Sequence, residues 1–254
     1  MNDKLKIKTM DIKKEFEKYA LGSGLSSMNL HYYQKNIEGS LTPYILEERE
    51  MRVTQMDVFS RLLRDRIIWV SGVVNQHMCD VTQAQLMFLD NMDNKDITMH
   101  INSPGGSVLH GLGMVDVMRY IKSDVATINT GMAASMGSIL LSSGTKGKRS
   151  SLNFSKVMIH QVSSGAQGHV QDNRISQMES EKYNYILFKM LAENSGRSFD
   201  EVLESARRDK WLNSQESLEF GFIDEIILSD KTSSITTLMD GFEDYYNKEV
   251  LRKS

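Results

Sequence analysis

A β-like run that ends in small residues and passes straight into an apolar helical run is the pattern that most restricts how this chain can fold. It occurs at Val125-Ala126-Thr127-Ile128-Asn129-Thr130, which leads through Gly131-Met132-Ala133-Ala134-Ser135-Met136-Gly137-Ser138 into Ile139-Leu140-Leu141. A strand, a tight turn and the first turn of a buried helix satisfy that order. Such a turn presents one hydroxyl, that of Ser135, at a helix N-terminus. Free N–H groups and the helix dipole there favour developing negative charge. The small neighbours let another backbone approach closely. Taken alone, the stretch suits a small-residue contact between two helices better than a catalytic corner.

The composition fits one large α/β domain with extra segments: 254 residues, 40% hydrophobic and 25% charged. A core of that size needs no disulfide, and the single Cys79 cannot form one within the chain, which points to a reducing compartment. The net charge of −3, with no long basic run, argues against nucleic acid as the main partner. Aliphatic and aromatic runs such as Ile67-Ile68-Trp69-Val70 are too short to span a membrane. Met1 to Ala20 mixes Lys, Asp and Glu and lacks the apolar centre of a secretory signal. A cytoplasmic protein without membrane attachment is the expectation.

Along the chain, residues 1–40 form an extension, with a short charged helix at Lys13–Tyr19 and Gly/Ser breaks after it. It reads as an arm or propeptide-like segment, or equally as a disordered tail. The main domain is expected over 41–228 and a polar tail over 229–254. Leu41–Leu46 is extended and Glu47–Arg52 a charged loop. Asp57 caps a helix through Val58, Leu62 and Leu63. Ile67–Val74 is β-rich. Asp80 caps a second helix with Ala84, Met87 and Phe88 on one face. Ile97, Met99 and Ile101 alternate as in a strand, Ser103–Ser107 is a turn, and Val108–Ile121 a helix. After the Ser135 unit come a strand at Lys156–His160 and a long, mostly polar helix over Val170–Glu193, ended by Asn194-Ser195-Gly196. Ser198-Phe199-Asp200-Glu201 fits a capping box. A short helix at Ser214–Phe220 and a closing strand at Phe222–Leu228 complete the domain. Strands alternating with helices indicate an α/β fold with largely parallel connections.

Nucleophilic catalysis by a serine requires a base, an orienting carboxylate and an oxyanion hole. The base candidate is His160, which ends the apolar strand Val157-Met158-Ile159, although a buried histidine in that place also suits a structural role. His31, His77, His100, His110 and His169 sit in ordinary loop, strand or helix settings. Gly105 and Gly106, after Pro104, allow a turn that aims N–H groups into a cleft. The Met136 N–H, next to Ser135, is a second donor. The carboxylate stays open: Asp200, Asp209 and Asp224 all lie near element ends. The motif is not G-x-S-x-G, because Ala133 stands at its first glycine. No Cys/His spacing suits a metal, and no phosphate or dinucleotide loop is present.

Five stretches resemble the proteolytic subunits of the Clp protease, the ClpP family: Met56–Leu63, Ile101–Gly106, Gly131–Gly137, Lys146–Arg149 and Val157–Gln161. The resemblance runs without large gaps from about Leu41 to Leu228. It implies the ClpP/crotonase-like spiral of β-α-β units with a protruding handle helix, here the long helix after Gly168. It assigns Ser135 as nucleophile, His160 as base, Asp209 as the aspartate, and the Gly106 and Met136 N–H groups as oxyanion donors. It also implies two stacked heptameric rings around a chamber. Unfolded polypeptide would enter from a hexameric AAA+ unfoldase of the ClpX, ClpA or ClpC type, which uses the ATP. The subunit itself would need no cofactor or metal.

The chain departs from that pattern in several places. Thr98, His100 and Ser150 stand where the family usually carries aromatic residues lining the pocket for an unfoldase loop. Weaker or altered docking is the expectation, unless neighbours such as Met99 rebuild the pocket; Tyr120 remains. Val162 and Asn153 replace usual prolines, and Arg174 a usual acidic residue in the handle. A non-catalytic or weakly active ring subunit of a mixed assembly is therefore the alternative reading. A crotonase-type hydratase binding coenzyme A and a Ser–Lys signal-peptide peptidase are weaker rivals.

Overall fold

The computed structural model describes residues 44–49, 52–163, 165, 168–229 and 233–250. The proposed extension over 1–40 lies outside them. The chain divides into two compact units, Met1–Arg61 and Leu62–Ser254. In the first, β1 (Tyr44–Arg49) and β2 (Arg52–Asp57) form an antiparallel hairpin. Most of the expected charged loop at Glu47–Arg52 is thus strand, because an edge hairpin tolerates charged side chains along its whole length. Asp57 does cap helix α1 (Val58–Arg64), its carboxylate accepting from the Ser60 N–H at 2.9 Å.

The second unit is built on a seven-stranded sheet. Its strands are β3 (Ile67–Ser71), β4 (Ile97–Ser103), β5 (Val125–Ala134), β6 (Arg149–Leu152), β7 (Lys156–Ile159), β8 (Lys210–Leu212) and β9 (Glu225–Ile227). The order β3-β4-β5-β6-β9 is parallel throughout. β5 is long enough to serve two partners. Its Thr127–Asn129 stretch pairs with β6 and its Met132–Ala134 stretch with β7, which in turn pairs antiparallel with β8. The sheet therefore forks just before Ser135.

The helices are α2 (Gln76–Met92), α3 (Val108–Tyr120), α4 (Met136–Ser142), α5 (Val170–Ser195), α6 (Phe199–Ser205), α7 (Ser214–Phe220), α8 (Ile235–Met239) and α9 (Phe242–Tyr245). Alternation along β4 buries Ile97, Met99 and Ile101 on one face, in a core shared with buried residues of α2, α3 and α4. The capping box at Ser198 and Glu201 is present, and Gly196 ends α5 in the left-handed conformation. Helix α5 is half handle and half core. Val170, Ile175 and Met178 are exposed near its start, whereas Leu187, Phe188 and Leu191 are buried near its end.

Three sequence expectations need correction. Helix α2 starts earlier than Asp80. Asn75 caps it, accepting from the Met78 N–H at 2.9 Å, and Asp80 sits within the helix. Its buried face is Cys79, Thr82, Leu86 and Leu89, while Ala84, Met87 and Phe88 face outward, because apolar residues occur on both sides and periodicity cannot choose. Met99 cannot rebuild a surface pocket, since it lies in the core one residue out of phase with Thr98 and His100. The ring that the outer face does carry is Trp69, stacked on His100 with centroids 4.9 Å apart.

Candidate active site

Where β5 passes into α4, the chain does something a regular strand cannot. Ile101 pairs with Asn129 but Ser103 with Ala133, so β5 carries two extra residues there. Asn102 and Asn129 hold the bulge. The Asn102 side-chain oxygen accepts from the Met132 N–H at 3.2 Å, and that of Asn129 from the Gly131 N–H at 3.3 Å. A side chain at Gly131 would run into the Asn102 carboxamide at 2.8 Å. The bulge lets the strand end in a sharp corner at Ser135.

Ser135 occupies φ 53°, ψ −121°, a backbone conformation unfavourable to any residue but glycine. Three bonds enforce it. Its N–H donates to the Met158 carbonyl at 2.9 Å, and its carbonyl accepts from the Ser138 N–H at 3.0 Å and the Ser138 hydroxyl at 2.7 Å. The Ser135 hydroxyl is thereby lifted off the sheet at the start of α4. Strand β7, paired with the end of β5, carries His160 just beyond its last residue. His160 Nε2 lies 2.8 Å from Ser135 Oγ.

Among the three carboxylates left open, geometry discriminates. Asp224 is bound to Arg149 at the start of β6. Asp200 lies in the first turn of α6. Asp209, one residue before β8, places Oδ1 3.7 Å from His160 Nδ1. That separation is within ion-pair reach but too long for a hydrogen bond. Its side chain is 66% exposed.

The Gly105-Gly106 turn faces the same corner. A Cβ on Gly105 would lie 2.6 Å from Ser135 Cβ and 2.7 Å from the Ala134 carbonyl, so only glycine lets the two turns approach. Gly106 bridges Val74 in parallel. The bonds of that bridge run from Val74 N–H to the Gly105 carbonyl and from Ser107 N–H to the Val74 carbonyl, both 2.8 Å. The Gly106 N–H therefore points away from Val74. The Met136 N–H is the first of α4, where a helix offers no acceptor of its own.

Beside Ser135 and His160 opens a cleft of about 240 Å³, walled by Val108, Ile139, Leu187, Phe188 and Leu191. Sequence reasoning brought Ser135, His160, Gly106 and Met136 to this corner, and resemblance added Asp209. It missed the apolar wall from α5 and the contact between Val162 and Asn184 at the rim. The apolar spacing near the end of α5 carried that signal, but nothing local tied it to Ser135. Among the described residues, no cluster of His, Cys, Asp or Glu is fit to hold a metal ion, and no helix is long and apolar enough to cross a membrane.

A family model described as Clp protease matches residues 48–230. The chain is 50% identical over 216 residues to an ATP-dependent Clp protease proteolytic subunit of Bacteroides fragilis (strain YCH46), covering 84% of this chain and 98% of that protein. A subunit of the same description from Bacteroides thetaiotaomicron is 49% identical over 216 residues, with 84% and 98% covered. One from Porphyromonas gingivalis is 46% identical over 215 residues, with 84% and 97% covered.

Proposed function

The chain belongs to the Clp protease family, and from that premise we propose that it is the serine endopeptidase subunit of an ATP-dependent protease, with Ser135 as nucleophile. The observation that carries the reading is the 2.8 Å contact between His160 Nε2 and the hydroxyl of a conformationally forced Ser135.

His160 Nε2 takes the Ser135 proton as Oγ attacks a peptide carbonyl. For Nε2 to accept, the imidazole proton must sit on Nδ1, which faces Asp209. Asp209 stabilises the imidazolium by charge, and closing the gap by about an ångström makes a hydrogen bond that fixes the tautomer. The Gly106 and Met136 N–H groups hold the oxyanion. His160 then returns the proton to the leaving amine, and a water activated by the same imidazole resolves the acyl-enzyme. The apolar cleft beside Ser135 suits an aliphatic or aromatic side chain next to the scissile bond.

The subunit works without metal or cofactor in two stacked seven-membered rings in the cytoplasm, and a AAA+ unfoldase spends the ATP and feeds unfolded polypeptide. The exposed apolar start of α5 supports its role as the ring–ring element. Trp69 on His100, with exposed Tyr120, supports an unfoldase contact that is altered without being absent.

Purified full-length protein should cleave a short fluorogenic peptide, and Ser135→Ala should lower kcat by roughly a millionfold, to background, with the oligomer mass unchanged. Persistent cleavage by the alanine variant would overturn the assignment.

A further inference from the structure

The apolar cleft beside Ser135 has a neighbour. A second hollow of about 280 Å³ lies along α5, lined by polar groups that include Asn173, Ser176, Ser180 and Glu181. The two hollows share three lining residues, Gln161, Val162 and Asn184. The wall between an apolar and a polar space is thus the chain just after His160 together with one side chain of α5. A single hydrogen bond closes it: the Val162 N–H donates to Asn184 Oδ1 at 3.0 Å.

Resting on Ser135 as the nucleophile, we propose that Asn184 is a positioning residue that sets which substrate side chains the enzyme accepts. Val162 packs its half-buried side chain against the core, and its N–H reaches across to the helix. The segment 160–163 belongs to neither a helix nor a strand, so no ladder holds it in place. Asn184 supplies the missing acceptor. It sits where α5 changes from exposed handle to buried core, one turn before Leu187 and Phe188. With the bond intact, the apolar cleft ends at Val162. With the bond broken, the segment swings outward and the cleft opens into the polar hollow. A larger side chain then fits, and one with a polar end finds partners there.

The effect acts on substrate binding more than on chemistry, which separates it from a loss of fold. A merely structural residue would lower activity on all peptides together, whereas Asn184 changes their ratio.

The test uses the full-length assembly and peptides that differ only in the residue before the scissile bond, Leu against Trp. A fluorophosphonate probe reports Ser135 reactivity in every sample. Asn184→Leu keeps the bulk but removes the acceptor. It should raise the Trp-to-Leu ratio of kcat/KM by about three- to tenfold, mostly through KM, the scale of one neutral hydrogen bond. Asn184→Asp keeps an acceptor and should restore the wild-type ratio. Val162→Pro removes the donor and should shift the ratio in the same direction. Asn184→Leu added to Val162→Pro should then change nothing further. An unchanged ratio in Asn184→Leu, or shifts that multiply in the double variant, would overturn the proposal. If Asn184→Leu fails to assemble, the ratio in Val162→Pro decides alone. Absence of probe labelling in the wild type would instead remove the nucleophile reading, and this proposal with it.

Discussion

Asp209 and Asp224 are fifteen residues apart and do opposite work. Asp224 locks onto a cation in the core. Arg149, whose side chain is 1% exposed, gives it two bonds, Nε to Oδ2 at 2.8 Å and Nη2 to Oδ1 at 2.6 Å. The Gly147 and Arg149 N–H groups add two more, at 2.7 and 3.1 Å. Burial alone would push the Asp224 carboxyl up, and the hydrogen bonds and charge of Arg149 overcome this and hold it below its ordinary 3.8. Asp209 is two-thirds exposed and stands 3.7 Å from its histidine. One pair is fixed by four hydrogen bonds; in the proposed mechanism the other acts when His160 takes a proton. On that reading the tight pair serves architecture and the loose one chemistry.

The sharpest way to break that contrast is to neutralise each aspartate in turn. Asp209→Asn should lower kcat by about ten-thousandfold, the cost of losing the orienting carboxylate in a triad of this kind, while unfolding and oligomer mass stay as in the wild type. Peptide hydrolysis with sedimentation alongside reads both. A variant that unfolds easily, or one that keeps full turnover, would reverse the roles assigned to the two residues.

Asp224→Asn should do the converse. It leaves the Arg149 guanidinium buried without a counter-charge, which costs about 3–5 kcal/mol of stability. Whatever protein still folds should turn over peptide at the wild-type rate. The pH dependence follows with a definite sign. The folded-state carboxyl titrates below the unfolded one, so the unfolded chain binds more protons as pH drops. The contribution of the pair is complete above about pH 3.8 and is lost as pH falls further, through the lowered value. Urea midpoints between pH 3 and 6 should therefore fall more in the wild type than in Asp224→Asn.

The sequence could not choose between these aspartates from residue type and position. Both stand one residue before a strand, and the two arginines that precede Asp209 in the chain are no guide to which aspartate meets the histidine. What separates them is β6, a strand that periodicity hides, because its residues Arg149, Ser150 and Ser151 are polar and nonetheless buried. Burial there rests on the Asp224 bonds, which are seventy-five residues away in sequence for Arg149. β8 was equally invisible at three residues long. Ser135, His160 and the glycine turn were legible because each feature is local: a small-residue corner, a histidine at an apolar strand end, and two glycines after a proline. The apolar wall from α5 was not, since a handle that is half exposed averages to a weak pattern over its length.

His100 extends the comparison to a titratable group with one buried ring nitrogen left unpaired among the described residues. It stacks on Trp69 with the rings 12° from parallel, and among the described residues nothing reaches its buried Nδ1. Burial pushes its pKa below the ordinary 6.5, since the charged form would lack water. The unfolded chain then takes up a proton first as pH drops, so stability should fall as pH goes below about 6.5. His100→Phe keeps a flat ring against Trp69 and removes the unpaired nitrogen. It should stabilise the protein by roughly 1 kcal/mol at neutral pH, and by more at pH 5.5, where the wild type has lost ground. Denaturant unfolding at pH 7.5 and 5.5, at one fixed protein concentration, reads the difference between the two losses. Equal losses in the two proteins would mean that a partner satisfies His100 once the protein is assembled. A smaller loss in the variant would establish a third kind of polar group beside the locked and the loose aspartate, one whose burial costs stability and which no neighbour offsets.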